Sequence, residues 1–272
     1  MSDEQKAAVA RVFGLTAADY DQSGVDFFSL FARRLVDHLQ PGSGWHVVDV
    51  GSGRGAVVFA LPGTQCTVTA IDLAEPMVTA LRTDLAERGM THVTTLVGDA
   101  ENLDLPDACA DAVTASMVLF FLPDLQAGLR ETARVLKTGG TFAFTVFGDA
   151  DPRWAPVYEA FNPHLPHGHR LENSRPVHPD LADTEGILDA LRNAGFEDIR
   201  CVEEVHPVHF ADVEQWHTWS WSVGLRGTWL QIPEDRRGQA RASILETVAG
   251  LASDDGSLTE EFAIRIVTAR RQ

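Results

Sequence analysis

The chain has 272 residues, with 22 Lys plus Arg against 39 Asp plus Glu, a formal charge of −17, and 44% hydrophobic residues. So acidic a surface repels phosphate backbones and anionic lipid, which argues against a nucleic-acid reader or a membrane-surface binder. No run of about 18 apolar residues offers a membrane span, and the opening MSDEQKAAVARVF lacks the basic and apolar regions of a secretory signal. Cys66, Cys109 and Cys201 are too far apart and too few for a disulfide framework or a thiolate metal site, which points to a reducing, cytoplasmic setting.

Residues 24–39 place Phe27, Phe28, Phe31, Leu35, Val36 and Leu39 at three- and four-residue spacings, the apolar stripe of a helix ended by Pro41 and Gly42. WHVVDV (45–50) is a short apolar run, as in a strand buried on both faces of a parallel sheet. Strands are predicted over 66–71, 92–97, 111–116 and 141–147, with helices over 75–89 and 124–136 between them. Such alternation implies right-handed crossovers and a doubly wound α/β sheet. The rhythm breaks over 149–183, a stretch rich in Pro, His and Asp of the kind that covers a site. A helix over 184–195, a sixth strand over 199–210, helical stretches over 212–230 and 234–250, and a seventh strand over 260–271 complete the pass.

The first strand runs into Asp49-Val50-Gly51-Ser52-Gly53-Arg54-Gly55, where glycines permit a sharp turn and let a ligand reach backbone N–H groups at a helix start. Gly51, Gly53 and Ala56 also satisfy the dinucleotide fingerprint, and Asp72, ending the second strand, suits the ribose of either a nicotinamide or an adenosyl cofactor. Both readings stand on these residues alone.

VVDVGSGRG, IDLAEPM, VGDAENLDLP, ASMVLFFLPD and RVLKTGG, in that order, resemble the motifs of class I S-adenosylmethionine (SAM) dependent methyltransferases. The likeness is greatest to the small-molecule branch related to ubiquinone and menaquinone biosynthesis methyltransferases, and it is strongest over residues 20–148. The resemblance implies a seven-stranded, mostly parallel Rossmann-like sheet in a single domain. Residues 1–44 would form a helical cap, 45–148 the cofactor-binding core, and 149–183 and 211–256 lid insertions over the substrate. It also implies that Asp49 and the loop Gly51, Ser52, Gly53 and Gly55 hold the methionine part of SAM, and that Asp72 takes the ribose hydroxyls. Leu73 and Met77 would pack on adenine, Asp99 and the backbone of Ala100 would meet its amino edge, the Ser116 carbonyl would face the methionine amino group, and Tyr20 would close over the cofactor. Plainer roles exist: Asp72 as a helix cap, Met77 as core, Tyr20 as packing.

Many members of that family carry two histidines where this chain has Phe120 and Phe121, so no base is expected from that loop. Methyl transfer from a sulfonium is an in-line displacement, and alignment of donor and acceptor alone contributes roughly 7–11 kcal/mol. Candidate bases lie in the insertions: His164, His167, His169, His178 and His217, with His167, His178 and His217 foremost. No metal site is expected from the 164–169 cluster, which lacks a completing ligand pattern. Trp216, Trp219, Trp221 and Trp229 crowd one stretch, and of these Trp216 and Trp219, with Phe27, Phe28, Phe120 and Phe121, are candidates to wall the pocket of a small, apolar or aromatic methyl acceptor. Two other functions fit the motifs: a SAM-binding protein that steers a cyclisation without methylating, and a nicotinamide-dependent oxidoreductase. A protein or RNA acceptor is disfavoured by the charge.

Overall fold

The computed structural model describes residues 2–20, 23–171 and 178–272. Helices α1 (Ser2–Thr16) and α2 (Phe28–Leu39) come first. They are followed by β1 (His46–Val50), α3 (Ala56–Ala60), β2 (Thr67–Asp72), α4 (Glu75–Glu87), β3 (Val93–Val97), β4 (Ala110–Ser116), α5 (Leu125–Val135) and β5 (Leu136–Ala150). Then come α6 (Ala155–Glu159), α7 (Thr184–Asn193), β6 (Phe196–Phe210), α8 (Val213–Ser222), α9 (Arg226–Gln231), α10 (Glu234–Ala249) and β7 (Leu258–Arg271).

The seven strands form one sheet in the order β3-β2-β1-β4-β5-β7-β6. Parallel pairing sets Asp49 of β1 beside Ala70 of β2 on one side and Thr114 of β4 on the other. β7 runs antiparallel to both β5 and β6. The chain winds outward from β1 in one direction to β3 and restarts beside β1 at β4, so a crevice opens beyond the carboxyl ends of β1 and β4.

Period-two alternation divides the core. Val47, Val68, Ala70 and Ala112 pack toward α2, α3 and α4, whereas Val48, Val50, Val113 and Ala115 pack toward α5 and α7. Helix starts follow from local chemistry, because the carboxylates of Asp124, Asp183 and Asp212 accept the N–H groups of Ala127, Gly186 and Gln215, each at 2.8 Å, at the first turns of α5, α7 and α8.

Three differences from the sequence reading bear on the site. α1 occupies 2–16, within the expected helical cap but where no individual helix was delimited, although Val9, Val12, Phe13 and Thr16 follow helical spacing. The aromatic helix begins at Phe28 rather than at residue 24, after Gly24 at φ +74°. The helix read over 212–230 is two, α8 and α9, broken around Gly224, and the break lines a cavity described below. Among the described residues no helix is long and apolar enough to cross a membrane. Residues 172–177 of the first insertion lie outside the described residues.

Candidate functional site

The site grows from the end of β1. Gly51 has φ +65°, and a Cβ there would collide with the Val118 side chain after β4, so the loop can pass under that turn only with glycine. Gly55, with φ +88°, meets a different demand: a Cβ would sit 2.6 Å from Leu81 Cδ1 of α4. Gly55 is not among the residues lining the two cavities at this bend, and its close approach to Leu81 ties it to helix packing.

Two carboxylates stand at this bend. Asp49 is 1% exposed, accepts the Thr114 hydroxyl on Oδ1 at 2.7 Å, and leaves Oδ2 without a partner among the described residues. Burial pushes its carboxyl up to about 7, with the Thr114 hydrogen bond pulling the other way and Asp72 adding repulsion. Asp72 accepts the Gly53 N–H on Oδ2 and the Ala74 N–H on Oδ1, both at 2.8 Å. Burial raises its carboxyl as well, against those two bonds. The Ala74 bond makes an Asx turn into α4, so a structural task and an open face toward the crevice coexist on Asp72.

Two adjoining cavities of about 380 Å³ each meet over Gly51 and Gly53. Tyr20 lies where they join, its ring stacked on Phe28 at 4.8 Å and 18°. Arg54 holds the segment before Tyr20 by donating to the carbonyls of Ala17 and Ala18 while gripping Asp84 at 2.7 Å. At the far rim, Lys6 of α1 reaches Asp99 at 2.7 Å and Glu101 at 2.5 Å. α1 therefore lies across the strand ends, secured at the loop after β3.

Most of the residues named from sequence converge here. Tyr20, Gly51, Gly53, Asp72, Leu73, Met77, Asp99, Ala100 and Ser116 line the larger cavity, together with Phe27, Phe28, Phe120, Phe121 and Trp219. Asp49 and Ser52 face the smaller one.

Several do not. Trp216 is fully buried and stacks on Trp154 at 6.0 Å, so it anchors α8 in the core and does not wall the pocket. Trp221 and Trp229 stack on each other at 5.5 Å away from the cavity, and Trp229 Nε1 donates to Ser220 at 2.9 Å. None of the proposed histidine bases lines either cavity. His167 and His169 are exposed, and His178 Nδ1 accepts the Asp180 N–H at 3.2 Å. His217 Nε2 accepts from Trp221 Nε1 at 3.1 Å, and burial lowers its pKa, as it does for buried His164.

Other lining residues went unread. Lys6, Val9 and Phe13 come from α1, Val223, Gly224, Leu225 and Thr228 from the break between α8 and α9, and Phe147, Tyr158 and Phe262 from β5, α6 and β7. The helical spacing in α1 and the glycine at 224 were the available signals. Phe147, Tyr158 and Phe262 carried none.

A parallel sheet with one reversed strand, a glycine turn after β1 and an acid ending β2, all meeting at the switch point, define a nucleotide-cofactor-binding α/β enzyme built on the methyltransferase plan. The family model described as "Methyltransferase domain" matches residues 48–144. The chain belongs to the class I SAM-dependent methyltransferases. It is 35% identical to nocamycin O-methyltransferase of Saccharothrix syringae over 95% of this chain and 97% of that protein. It is 33% identical to a ubiquinone/menaquinone biosynthesis C-methyltransferase of Rubrivivax gelatinosus over 72% of this chain and 82% of that one. Its fold is shared with the YcgJ protein of Bacillus subtilis at a TM-score of 0.61 and 17% identity, covering 89% of this chain and 98% of that chain. The oxidoreductase reading is set aside: the glycine turn common to both classes belongs here to a methyltransferase.

Proposed function

We propose that SAM binds across the two cavities and that the enzyme methylates a small, apolar or aromatic metabolite held in the aromatic part of the larger one. The observation that carries this reading is the pair Asp49 and Asp72, two carboxylates raised by burial beside a glycine turn at the switch point. Asp49 Oδ2, buried and without a partner among the described residues, fits an ammonium group, which would satisfy the oxygen and favour its ionised form. Asp72 retains acceptor capacity for two hydroxyls beyond its two backbone bonds. Leu73 and Met77 would flank the base, Asp99 and Ala100 would meet its amino edge, the Ser116 carbonyl would face the amino group, and Tyr20 would close the entrance.

The cofactor supplies an electrophilic methyl group on a cationic sulfur. The protein's part is to bind, align and dry the partners. Phe120, Phe121 and Trp219 offer apolar walls that exclude water from the transfer path. The described parts of the segments 149–183 and 211–256 act as lids, contributing Tyr158, Leu171, Trp219 and the Val223–Leu225 break. The name of the nocamycin relative supports an acceptor from secondary metabolism. Titration calorimetry with SAM and S-adenosylhomocysteine tests the reading: micromolar binding of both is expected, and binding of neither overturns it. Transfer of isotope-labelled methyl to product separates methylation from a cyclisation steered by the bound cofactor.

A further inference from the structure

Eight aromatic rings that line the larger cavity touch one another in a closed circuit. Phe121 meets Phe13 of α1 edge to face with centroids 5.1 Å apart, Phe13 meets Tyr20 at 6.1 Å, and Tyr20 stacks on Phe28 at 4.8 Å. Phe28 meets Phe27 at 4.8 Å, and Phe27 meets Phe262 of β7 at 4.9 Å, both edge to face. Phe262 reaches Phe147 of β5 at 6.5 Å, Phe147 stacks on Phe120 at 5.5 Å, and Phe120 returns to Phe121 at 4.7 Å. Aromatic clusters are ordinary in protein cores, where close packing leaves no space between the rings. Phe31 shows that case: it touches Phe27 and Phe262, is 0% exposed and is not among the residues lining either cavity. The eight rings of the circuit border space instead. Seven of them are phenylalanines and carry no hydrogen-bonding atom, so what they can read in a guest is its shape and its π electrons.

We infer that this circuit is a collar for a flat, conjugated ring system, that the methyl acceptor is therefore a fused aromatic or comparably unsaturated polycycle, and that Phe13 and Phe121 are specificity-determining residues. This rests on the methyltransferase reading of the cavity given above and narrows its acceptor. Edge-to-face and stacked contacts fix the tilt of each collar ring through its neighbours, and a rigid wall loses least on binding when the guest is rigid too. A planar guest gains aromatic pair contacts with the walls, whereas a saturated polycycle is puckered, thicker and without a ring quadrupole. The collar also borders the cofactor end, because Phe13 and Tyr20 pack on the small core of Ala17, Ala74 and Met77. Phe13 and Tyr20 tie recognition to α1, which has no fully buried side chain over residues 3–15 and is secured by the Lys6 ion pairs and the Arg54 bonds to Ala17 and Ala18. The collar is complete only with α1 seated.

The test uses the full chain and two probes with one carbon skeleton, planar 2-naphthol and puckered trans-decahydro-2-naphthol. Each is titrated by calorimetry with and without S-adenosylhomocysteine, and melting curves check that every variant folds. A pocket that is merely apolar holds the saturated probe at least as tightly, since the two bury similar apolar area. The wild type is expected to bind 2-naphthol about tenfold more tightly or better, the yield of a few aromatic pair contacts. Leucine keeps an apolar side chain but removes the ring, so F13L and F121L should each weaken 2-naphthol by about three- to tenfold and leave the decahydro probe within about twofold. F31L is the control, removing a ring that touches the circuit from the core. It should lower the melting temperature while the ratio of the two affinities keeps its wild-type value. Equal or tighter binding of the saturated probe by the wild type overturns the inference, as does binding of neither probe. So does a ratio that F13L and F121L leave unchanged, or one that F31L lowers as much as they do. Failure to bind S-adenosylhomocysteine with the preference for 2-naphthol intact overturns the cofactor reading alone.

Discussion

The two halves of the larger cavity are built by different rules. At the glycine-loop end, Asp72, Gly51 and Ser116 come from the carboxyl ends of adjacent parallel strands or the turns that leave them, so pairing of β1 with β2 and β4 fixes their spacing. At the aromatic end, pairing of β5 with β7 places Phe147 near Phe262, but Phe27, Tyr158 and Trp219 come from three further segments joined to them by tertiary packing. Phe27 touches Trp219 and Phe262 in T-shaped contacts at 5.2 and 4.9 Å. On the proposed reading, a cofactor common to many enzymes takes the end fixed by strand pairing, and an acceptor particular to one enzyme takes the end where most walls come from helices and loops that can vary without disturbing the sheet.

Substitutions can break this contrast, and the largest effect belongs to the rigid half. D72A removes the acceptor for the Gly53 and Ala74 N–H groups as well as any ribose contact, and S-adenosylhomocysteine affinity should fall by about 100-fold or more, roughly 3 kcal/mol, by calorimetry. G51A should be next, lowering stability by about 1–3 kcal/mol in thermal melts and weakening cofactor binding, because a left-handed backbone and the Val118 side chain both oppose a Cβ.

Asp49 sharpens the comparison through pH. Its folded-state pKa, raised to about 7, means that the native state holds a proton the unfolded chain has already lost, so this group's contribution to stability declines as pH rises from the ordinary carboxylate range to about 7. An ammonium ligand needs the ionised form, so cofactor affinity should rise from pH 6 to 8 in the wild type. In D49N that rise should vanish, with weaker binding throughout and a flatter stability profile over the same window. The smallest effect is expected from H167N, H178N and H217N, whose cofactor affinity and turnover should stay within about twofold of wild type, since none of these rings is among the residues lining the two cavities.

The sequence made the sheet and its rigid half readable. The apolar run ending in Asp49, the glycines after it and the acid closing the second strand are local patterns, and the structure assembles their residues around one crevice. Gly55 shows the limit of that legibility: it satisfies a loop pattern while its need for glycine comes from Leu81, a contact no spacing reveals. The histidines misled for a related reason. An imidazole is a common base, but position decides, and capping or ring contacts hold His178 and His217 elsewhere. Tyr158 was invisible because its partner Glu260 lies 102 residues away on a strand that reads as ordinary alternation.

The place of β7 between β5 and β6 also shapes how the molecule is made. A ribosome delivers β6 well before the strand that joins it to the rest, so for the interval needed to translate α8, α9 and α10 the edge of β5 and all of β6 lack a ladder. The nascent protein must pass through this open-edged stage, where chaperone capture and intermolecular strand pairing compete with completion. Slowing translation between codons 211 and 257 should therefore lower the yield of native enzyme more than an equal delay placed before β1.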